Sequence, residues 1–415
     1  MSEQQAIVYD PWDPAFIADP YTRFKPLYSE APRLMESDKL PRSVRATTPP
    51  GAPIAMVARY ADCLTVMRDD ARFGAARPAS RKSGGGLGVF GAPPLVFTDP
   101  PVHTRLRRLM GRPFSPRRVR DFEPRIRAMA EGLLDRIAVK TRGGARFDLM
   151  AEFANPLPTM VIAEMLGVPA SDYEAFKIWS DTIQETDFIP PGAPFPQKIL
   201  DSRDAMRAYF GEQITRHRRQ PSDDLISALI AAEEGDALTS DEVLSFVILL
   251  LMAGNETTAT MLGSGWLALG RNPDQLELLR SNRSLIPTTI EEMLRYDPPL
   301  QATVRHARMD TELSGTPIPA GTSVFVLLAA ANRDPARFDH PESFDITRDP
   351  NDHLSLGEGI HFCLGAGLAR LEGAVAMAAM LERFPNLRLA DPAAPVSHRA
   401  SYFIRCVETL PMVID

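Results

Sequence analysis

The chain has 415 residues, and 44% of them are hydrophobic, which is enough apolar material for a substantial core. Its formal net charge of −7 gives no support for nucleic-acid binding. The three cysteines, Cys63, Cys363 and Cys406, form neither a metal-ligand pair nor a disulfide framework, which suits a reducing cytoplasm.

The length would allow two or three domains, but no linker divides the chain, so one large unit is equally compatible with the sequence. No apolar segment follows the N-terminus, and we predict neither a signal peptide nor a membrane anchor. The most apolar run, residues 243–254, is too short to span a bilayer.

Proline punctuates the first third of the chain. Residues 10–14 and 19–21 predict turns and helix starts, and residues 52–60 predict a strand. Residues 75–94, with three consecutive glycines, predict a flexible loop. Several helices are expected up to about residue 235, interrupted by a proline-rich loop at 189–194.

A helix is predicted from about Pro101, with His103 and Arg107 four residues apart on one face. Both side chains can donate hydrogen bonds to carboxylates. With Arg305 and His361 they make four donors, enough to hold two propionate groups. The alternative for each of them is a solvated or internally satisfied basic side chain.

The longest predicted helix begins at residues 239–242, which have a capping-box pattern, and runs to about Gly270. It is apolar nearly all round and should be buried. Gly254, Glu256 and Thr257 in its middle predict a bent or widened turn with room for a small ligand, where Thr257 could hold a bound peroxide and Glu256 could relay protons. The alternative is a kinked helix with a satisfied polar pair.

Further along, Glu292 and Arg295 have the i, i+3 spacing that, taken alone, predicts a weak surface pair. Strands are predicted near 302–308 and 323–328. The elements together predict a mainly helical chain with small sheets late in the sequence.

Cys363 lies in a glycine-rich loop that leads directly into an apolar helix. The glycines allow positive φ angles and a close approach of the backbone to a flat group. A helix N-terminus aimed at sulfur favours the thiolate. Such a thiolate is a good axial ligand for heme iron and favours O–O cleavage. The alternative for a lone cysteine is a small buried hydrophobe, which is what we expect of Cys63 and Cys406.

Four constellations in this order along the chain resemble the cytochrome P450 heme-thiolate monooxygenases over nearly the whole chain. Residues 99–107, with His103 and Arg107, resemble the family's propionate-binding segment, and residues 253–258 its oxygen-activation motif. Glu292 with Arg295 resembles its ExxR motif, and the loop at 357–365 its heme signature. The resemblance implies a single domain over residues 1–415, folded as a helical prism with a long central helix over a buried heme b.

The resemblance also implies roles for individual residues. Cys363 would be the axial iron ligand, and Glu256 and Thr257 the acid–alcohol pair that delivers protons to bound dioxygen. Glu292, Arg295 and Arg348 would form a structural triad. The other heme contacts implied are His103, Arg107, Arg305, His361, Ala253, Gly254, Leu356, Gly357 and Gly365. The implied substrate-lining positions are Leu249, Met252, Leu300, Ala302, Thr303 and Phe403.

Three positions depart from the family pattern. Leu356 stands where the family usually has a phenylalanine that shields the thiolate and tunes the iron. Glu256 stands where many relatives have aspartate, and Arg405-Cys406 where Arg-Gly is common.

The implied reaction is insertion of one oxygen atom of O2 into a small to medium hydrophobic substrate, by hydroxylation, demethylation or epoxidation. Electrons would come from NAD(P)H through a separate ferredoxin and ferredoxin reductase, because no fused reductase or ferredoxin domain is seen. We expect a cytoplasmic monomer with no membrane or nucleic-acid partner. Arg81 and Lys82 could anchor a substrate carboxylate if their loop folds inward.

Basic residues after His103 predict a docking patch for an acidic ferredoxin, with a solvated helix face as the equal alternative. The patch comprises Arg105, Arg108, Arg112, Arg117, Arg118 and Arg120. Two other functions remain open. One is a peroxygenase that uses hydrogen peroxide directly, against which the Glu256–Thr257 pair argues. The other is a non-catalytic heme-thiolate protein that senses or stores a small ligand.

Overall fold

The computed structural model describes residues 9–10, 13–30, 32–36, 53–76, 92–111, 113–141, 144–185, 194–234, 238–401 and 403–414. Most of the loop predicted at 75–94, with Arg81 and Lys82, lies outside these residues. So do Arg112 and most of the proline-rich loop predicted at 189–194.

The described part of the chain is mainly helical, which confirms the predicted fold class. Its α-helices are α1 (Pro14–Ala18), α2 (Pro20–Phe24), α3 (Tyr60–Arg68), α4 (Val102–Gly111), α5 (Pro116–Asp121), α6 (Glu123–Lys140), α7 (Pro156–Leu166), α8 (Tyr173–Gln184), α9 (Gln197–Arg219), α10 (Leu225–Glu234), α11 (Ser240–Arg271), α12 (Pro273–Ser281), α13 (Ile286–Tyr296), α14 (Leu328–Ala331) and α15 (Ala366–Arg383).

Small sheets flank the helices. The strands are β1 (Arg33–Glu36), β2 (Pro53–Val57), β3 (Phe73–Gly74), β4 (Phe147–Asp148), β5 (Thr303–Ala307), β6 (Thr311–Leu313), β7 (Thr316–Ile318), β8 (Ser323–Val326), β9 (Arg388–Leu389), β10 (His398–Arg399), β11 (Cys406–Val407) and β12 (Pro411–Val413). The largest sheet has the order β1-β2-β8-β5-β3, in which β2 and β8 are parallel and the other pairs antiparallel.

The first helices begin where aspartate-proline pairs predict them. Asp13 accepts the amide of Ala15 and Asp19 accepts the amides of Tyr21 and Thr22, each with proline at the first helical position. The side-chain acceptor satisfies amides that have no partner within the helix, and proline gives up no hydrogen bond there.

Helix α11 runs through the middle of the largest hydrophobic cluster. Thr239 and Glu242 form the predicted capping box at its start. The helix packs against α7, α13 and α15. It is long and apolar enough to cross a membrane, but 72% of its most apolar window is buried in the fold, as expected for a core helix.

Close packing of α11 depends on glycine. A Cβ at Gly265 would collide with the side chain of Met293 on α13, and one at Gly263 would collide with Met150. Gly265 thus lets α13 approach α11. On α15, Gly373 plays the same part, because a Cβ there would lie 2.8 Å from the side chain of Met261 on α11.

Candidate functional site

The cysteine loop is held by its own backbone. The amide of Cys363 donates to the carbonyl of Leu356 at 2.7 Å, after a short 3-10 turn at Gly359–His361. Gly357 and Gly359 have φ angles of +72° and +68°, which L side chains rarely adopt. A Cβ on Gly359 would lie 2.7 Å from the carbonyl oxygen of Met67, so the loop also packs directly on the end of α3.

The thiol of Cys363 is half-buried at the start of α15. Burial raises its pKa, whereas the Gly365 amide and the positive charges of Arg107 and Arg370 lower it. The net direction is upward, opposite to the effect predicted for a helix N-terminus alone. Desolvation of a thiolate outweighs one amide and two partly screened charges.

Four predicted donors converge from three elements. The rings of His103 (α4) and His361 (cysteine loop) are tilted against each other with centroids 4.3 Å apart. The Nε2 atoms of both rings are buried without a hydrogen-bond partner among the described residues. Arg305 (β5) is 8% exposed, and its charge, like that of Arg107 (α4), acts on these imidazoles.

The electrostatics of this cluster favour an anion. Burial, Arg305 and His103 together lower the pKa of His361 to about 3, and burial and Arg107 lower that of His103. Burial also lowers the pKa of Arg305 to about 10. Two arginines beside two neutral imidazoles with unused nitrogens form a set of donors suited to carboxylates.

The polar residues in the middle of α11 have separate partners. Thr257 Oγ1 donates to the carbonyl of Ala253 at 2.8 Å, as a hydroxyl on a helix commonly does. Thr159 of α7 donates to the Asn255 side chain at 2.7 Å. A Cβ on Gly254 would be 3.4 Å from Ile162, which is ordinary contact.

Glu256 forms an ion pair with Arg399, a residue that the sequence analysis did not single out. Arg399 lies on β10, 143 residues from Glu256 (399 minus 256), and also contacts Asp181 of α8. No motif or spacing in the sequence connects these two residues. They meet only because the chain folds.

The ExxR pair is buried rather than superficial. Glu292 and Arg295 are 0% exposed and joined by two hydrogen bonds of 2.7 Å, and Arg348 reaches Glu292 at 3.2 Å. Arg295 also donates to the carbonyls of Asn332, Pro341 and Ser343, tying α13 to the segment that leads to the cysteine loop. The isolated-pair interpretation fails because spacing carries no information on burial.

The predicted substrate-lining residues fall into two places. Leu300 bridges to Ile404, and the amide of Gln301 donates to the carbonyl of Phe403 at 2.7 Å, so the segment with Ala302 and Thr303 meets the C-terminal loop. Leu249 and Met252 are buried on α11, in the largest hydrophobic cluster.

Comparison with known proteins decides the family. The sequence profile described as Cytochrome P450 matches residues 49–392. The chain belongs to the cytochrome P450 family. Cytochrome P450 107B1 of Saccharopolyspora erythraea is 44% identical over 322 residues, 77% of this chain and 77% of that protein. Vitamin D(3) 25-hydroxylase of Pseudonocardia autotrophica is 37% identical over 412 residues, 98% of this chain and 96% of that protein.

The fold agrees with that of solved P450 structures. A myxobacterial P450, CYP267B1, in complex with myristic acid has a TM-score of 0.85 at 35% identity, covering 97% of this chain and 98% of that one. The predicted fold class and enzyme class are therefore confirmed: this is an oxidoreductase of the P450 monooxygenase class, and the family implies a heme.

The residues present fit a heme. The orphaned Nε2 atoms of His103 and His361, with Arg107 and Arg305, suit the two propionates of that cofactor. Cys363 is a free thiol on the same loop as His361.

Three arginines of the predicted docking patch, Arg117, Arg118 and Arg120, lie on α5. Helix α5 packs on α15, where Val119 lies next to Gly367. Arg108 and Arg120 are exposed, and Arg117 is paired only loosely with Asp121 at 4.0 Å. Arg105, however, makes a two-armed ion pair with Glu242, and Arg118 pairs with Asp223 at 2.8 Å.

Proposed function

We propose that this P450 binds heme b through Cys363 and hydroxylates a small to medium hydrophobic substrate. In the overall reaction, a substrate C–H bond, O2, two electrons and two protons give the C–OH product and water. The observation that most supports this proposal is the cluster of His103, His361, Arg107 and Arg305 beside the free thiol of Cys363.

Bound through the Cys363 thiolate, a heme would supply an electron-rich iron, which favours O–O cleavage. The protein supplies the rest. Arg107, Arg305, His103 and His361 would hold the propionates, and Leu356, Gly357 and Gly365 would shape the loop that carries Cys363. Ala253 and Gly254 lie on the α11 turn that we assign to the heme pocket.

In this proposal, two side chains of α11, Thr257 and Glu256, deliver the protons. Thr257 Oγ1 holds a hydrogen that it now donates to the Ala253 carbonyl, and the Glu256 carboxylate, one residue away, is the group that exchanges protons with the surroundings. The buried triad of Glu292, Arg295 and Arg348 keeps the segment before the cysteine loop in place.

We infer that electrons come from NAD(P)H through a ferredoxin and its reductase, and that the protein works as a cytoplasmic monomer. The exposed Arg117 and Arg120 on α5, which packs on α15, and the exposed Arg108 on α4 support an acidic partner. The names of the relatives support a hydrophobic substrate, since one acts on vitamin D3 and one structure contains myristic acid.

The optical spectrum of the reduced protein under carbon monoxide tests the proposal. We expect a strongly red-shifted Soret band that disappears in Cys363→Ser, because only a thiolate ligand moves the band that far. A Cys406→Ser variant serves as control, since Cys406 is buried on β11 and should leave the band unchanged. A wild-type protein that takes up no heme when heme is abundant would contradict the proposal.

A further inference from the structure

We propose that Arg399 is a positioning residue for Glu256: it fixes the orientation of the carboxylate from which protons are delivered. The inference rests on the proposed role of Glu256. Arg399 itself lies on β10, outside the cysteine loop.

The Glu256 carboxylate needs a partner where it lies. Its side chain is 11% exposed, and a buried unpaired carboxylate is costly. The neighbouring polar side chains are engaged elsewhere, because Thr257 donates to the Ala253 carbonyl and Asn255 accepts from Thr159. Arg399, with a side chain 33% exposed, supplies the contact through Nη2.

The backbone of Arg399 is itself held in register. Strand β10 pairs with β11, which sets Arg399 opposite Cys406 and His398 opposite Val407. Val407 is 1% exposed and packs in the largest hydrophobic cluster. The guanidinium is therefore presented to α11 from a short, anchored hairpin and not from a free loop.

The same guanidinium has a second, weaker arm. Arg399 Nη1 lies 3.4 Å from Asp181 Oδ1, and Asp181 is also bound by Lys177 at 2.5 Å. Asp181 is 43% exposed, so solvent screens this contact more than the one to Glu256. Arg399 thus contacts two acids, Glu256 and Asp181. Of these two, only Glu256 lies on the oxygen-activation motif.

If Arg399 positions Glu256, its removal leaves the carboxylate free to rotate and without its cation. Proton delivery should then become less efficient, although the heme is bound normally. A purely structural role of Arg399 would change stability but would leave no specific dependence on Glu256.

The test uses the heme-loaded protein with NADH, a ferredoxin and its reductase, in air and with no organic substrate added. Hydrogen peroxide released per NADH and the solvent isotope effect on NADH consumption are measured. We expect Arg399→Ala to change the isotope effect about twofold or more and to raise the peroxide yield. Arg399→Lys should restore part of both, because it keeps a cation on the strand.

Two further variants show through which acid Arg399 acts. In a Glu256→Gln background, Arg399→Ala should have no further effect on either readout, since the partner is already lost. Asp181→Asn should leave both within about twofold of wild type. An Arg399→Ala effect that persists undiminished in the Glu256→Gln background, or an equal effect of Asp181→Asn, would overturn the proposal.

A stability measurement gives an answer that does not depend on turnover. Urea unfolding of Glu256→Gln, Arg399→Ala and the double variant should be non-additive, with a coupling of about fivefold in the unfolding equilibrium constant. Additive changes would refute the ion pair itself. If Glu256→Gln leaves peroxide yield and isotope effect unchanged while the stability coupling is present, the proposed catalytic role of Glu256 fails and the ion pair stands.

Discussion

Glu291 shows how one residue carries a pH dependence in this protein. Arg370 donates to its carboxylate at 2.7 and 2.8 Å, and His353 lies 3.2 Å away. Although burial alone would raise it, hydrogen bonds from His353 and Arg370 hold the pKa of Glu291 down at about 2. The contact joins α13 to α15, one and a half turns past the cysteine loop.

We predict that Glu291→Gln destabilises the protein at neutral pH by about 1–2 kcal/mol, reduced from the full linkage value because the side chain is 28% exposed. A depressed carboxyl pKa stabilises the fold above the unfolded value of 4.5 and loses that contribution as the pH falls towards 2. The difference between the variant and wild type should therefore shrink below about pH 4.5. Urea unfolding at several pH values measures it.

Glu277→Gln is the matched control. Glu277 is 71% exposed and lies 3.5 Å from Arg280, so its loss should cost under about 0.5 kcal/mol at any pH. A pH-independent cost for Glu291→Gln would mean that its side chain contributes through shape and not through charge.

The structure accommodates two departures from the family pattern, Cys406 and Leu356. Cys406, at a position where the family resemblance implies glycine, lies on β11 with no positive φ angle, so the backbone does not require glycine there. Leu356 uses its carbonyl to bind the Cys363 amide, a contact that any side chain permits. Its own side chain packs against the largest hydrophobic cluster.

Among the elements, the cysteine loop depends most on one glycine. Gly359 combines a φ angle of +68° with a backbone oxygen 2.7 Å from where a Cβ would lie. We predict that Gly359→Ala costs about 2–4 kcal/mol and weakens heme retention, because neither the left-handed backbone nor the Met67 carbonyl can easily give way.

Gly132→Ala makes a suitable comparison. Gly132 lies within α6, and nothing lies within 4 Å of a Cβ placed there. Alanine should stabilise the helix by about 0.5–1 kcal/mol. Thermal unfolding of the two variants in parallel checks both expectations, and equal melting temperatures for the two would contradict the account of the loop.

At the scale of the whole molecule, surface charge bears on partner choice. The net charge is −7, yet α4 and α5 present exposed arginines, and α5 packs on α15. A local basic surface on an acidic protein can orient an acidic partner and exclude others. Arg105 and Arg118 are already engaged in ion pairs within the protein. Among the described arginines of the patch, we therefore assign partner binding to Arg108, Arg117 and Arg120.

We predict that reversing two of these charges, in Arg108→Glu with Arg120→Glu, raises the half-saturating ferredoxin concentration about tenfold at low salt. The difference should shrink as salt rises. Arg216→Glu with Arg219→Glu, at two exposed residues of α9, changes the net charge by the same amount and should change little. Steady-state NADH consumption measures wild type and both double variants, and an equal effect of the α9 variant would assign the result to net charge alone.

Much of the fold followed from local signals. The capping box and apolar pattern predicted α11 to within a residue or two, and the strand patterns predicted β2, β5 and β8. Local signals work here because caps, turns and periodicity act between residues close in the sequence. The glycines of the cysteine loop belong to the same class, since their positive φ angles are local backbone properties.

Contacts between residues far apart in the sequence could not be predicted from local signals. Spacing alone predicted a surface pair for Glu292 and Arg295, and only the family resemblance named them with Arg348 as a structural triad. The fold buries the pair and brings Arg348 to Glu292. Nothing in the sequence indicated that Arg399 reaches Glu256 or that Arg105 reaches the capping residue Glu242. Local patterns were thus enough to predict the elements and the family motifs. They could not predict which charges meet, because burial and ion pairing between distant segments arise when helices and strands pack.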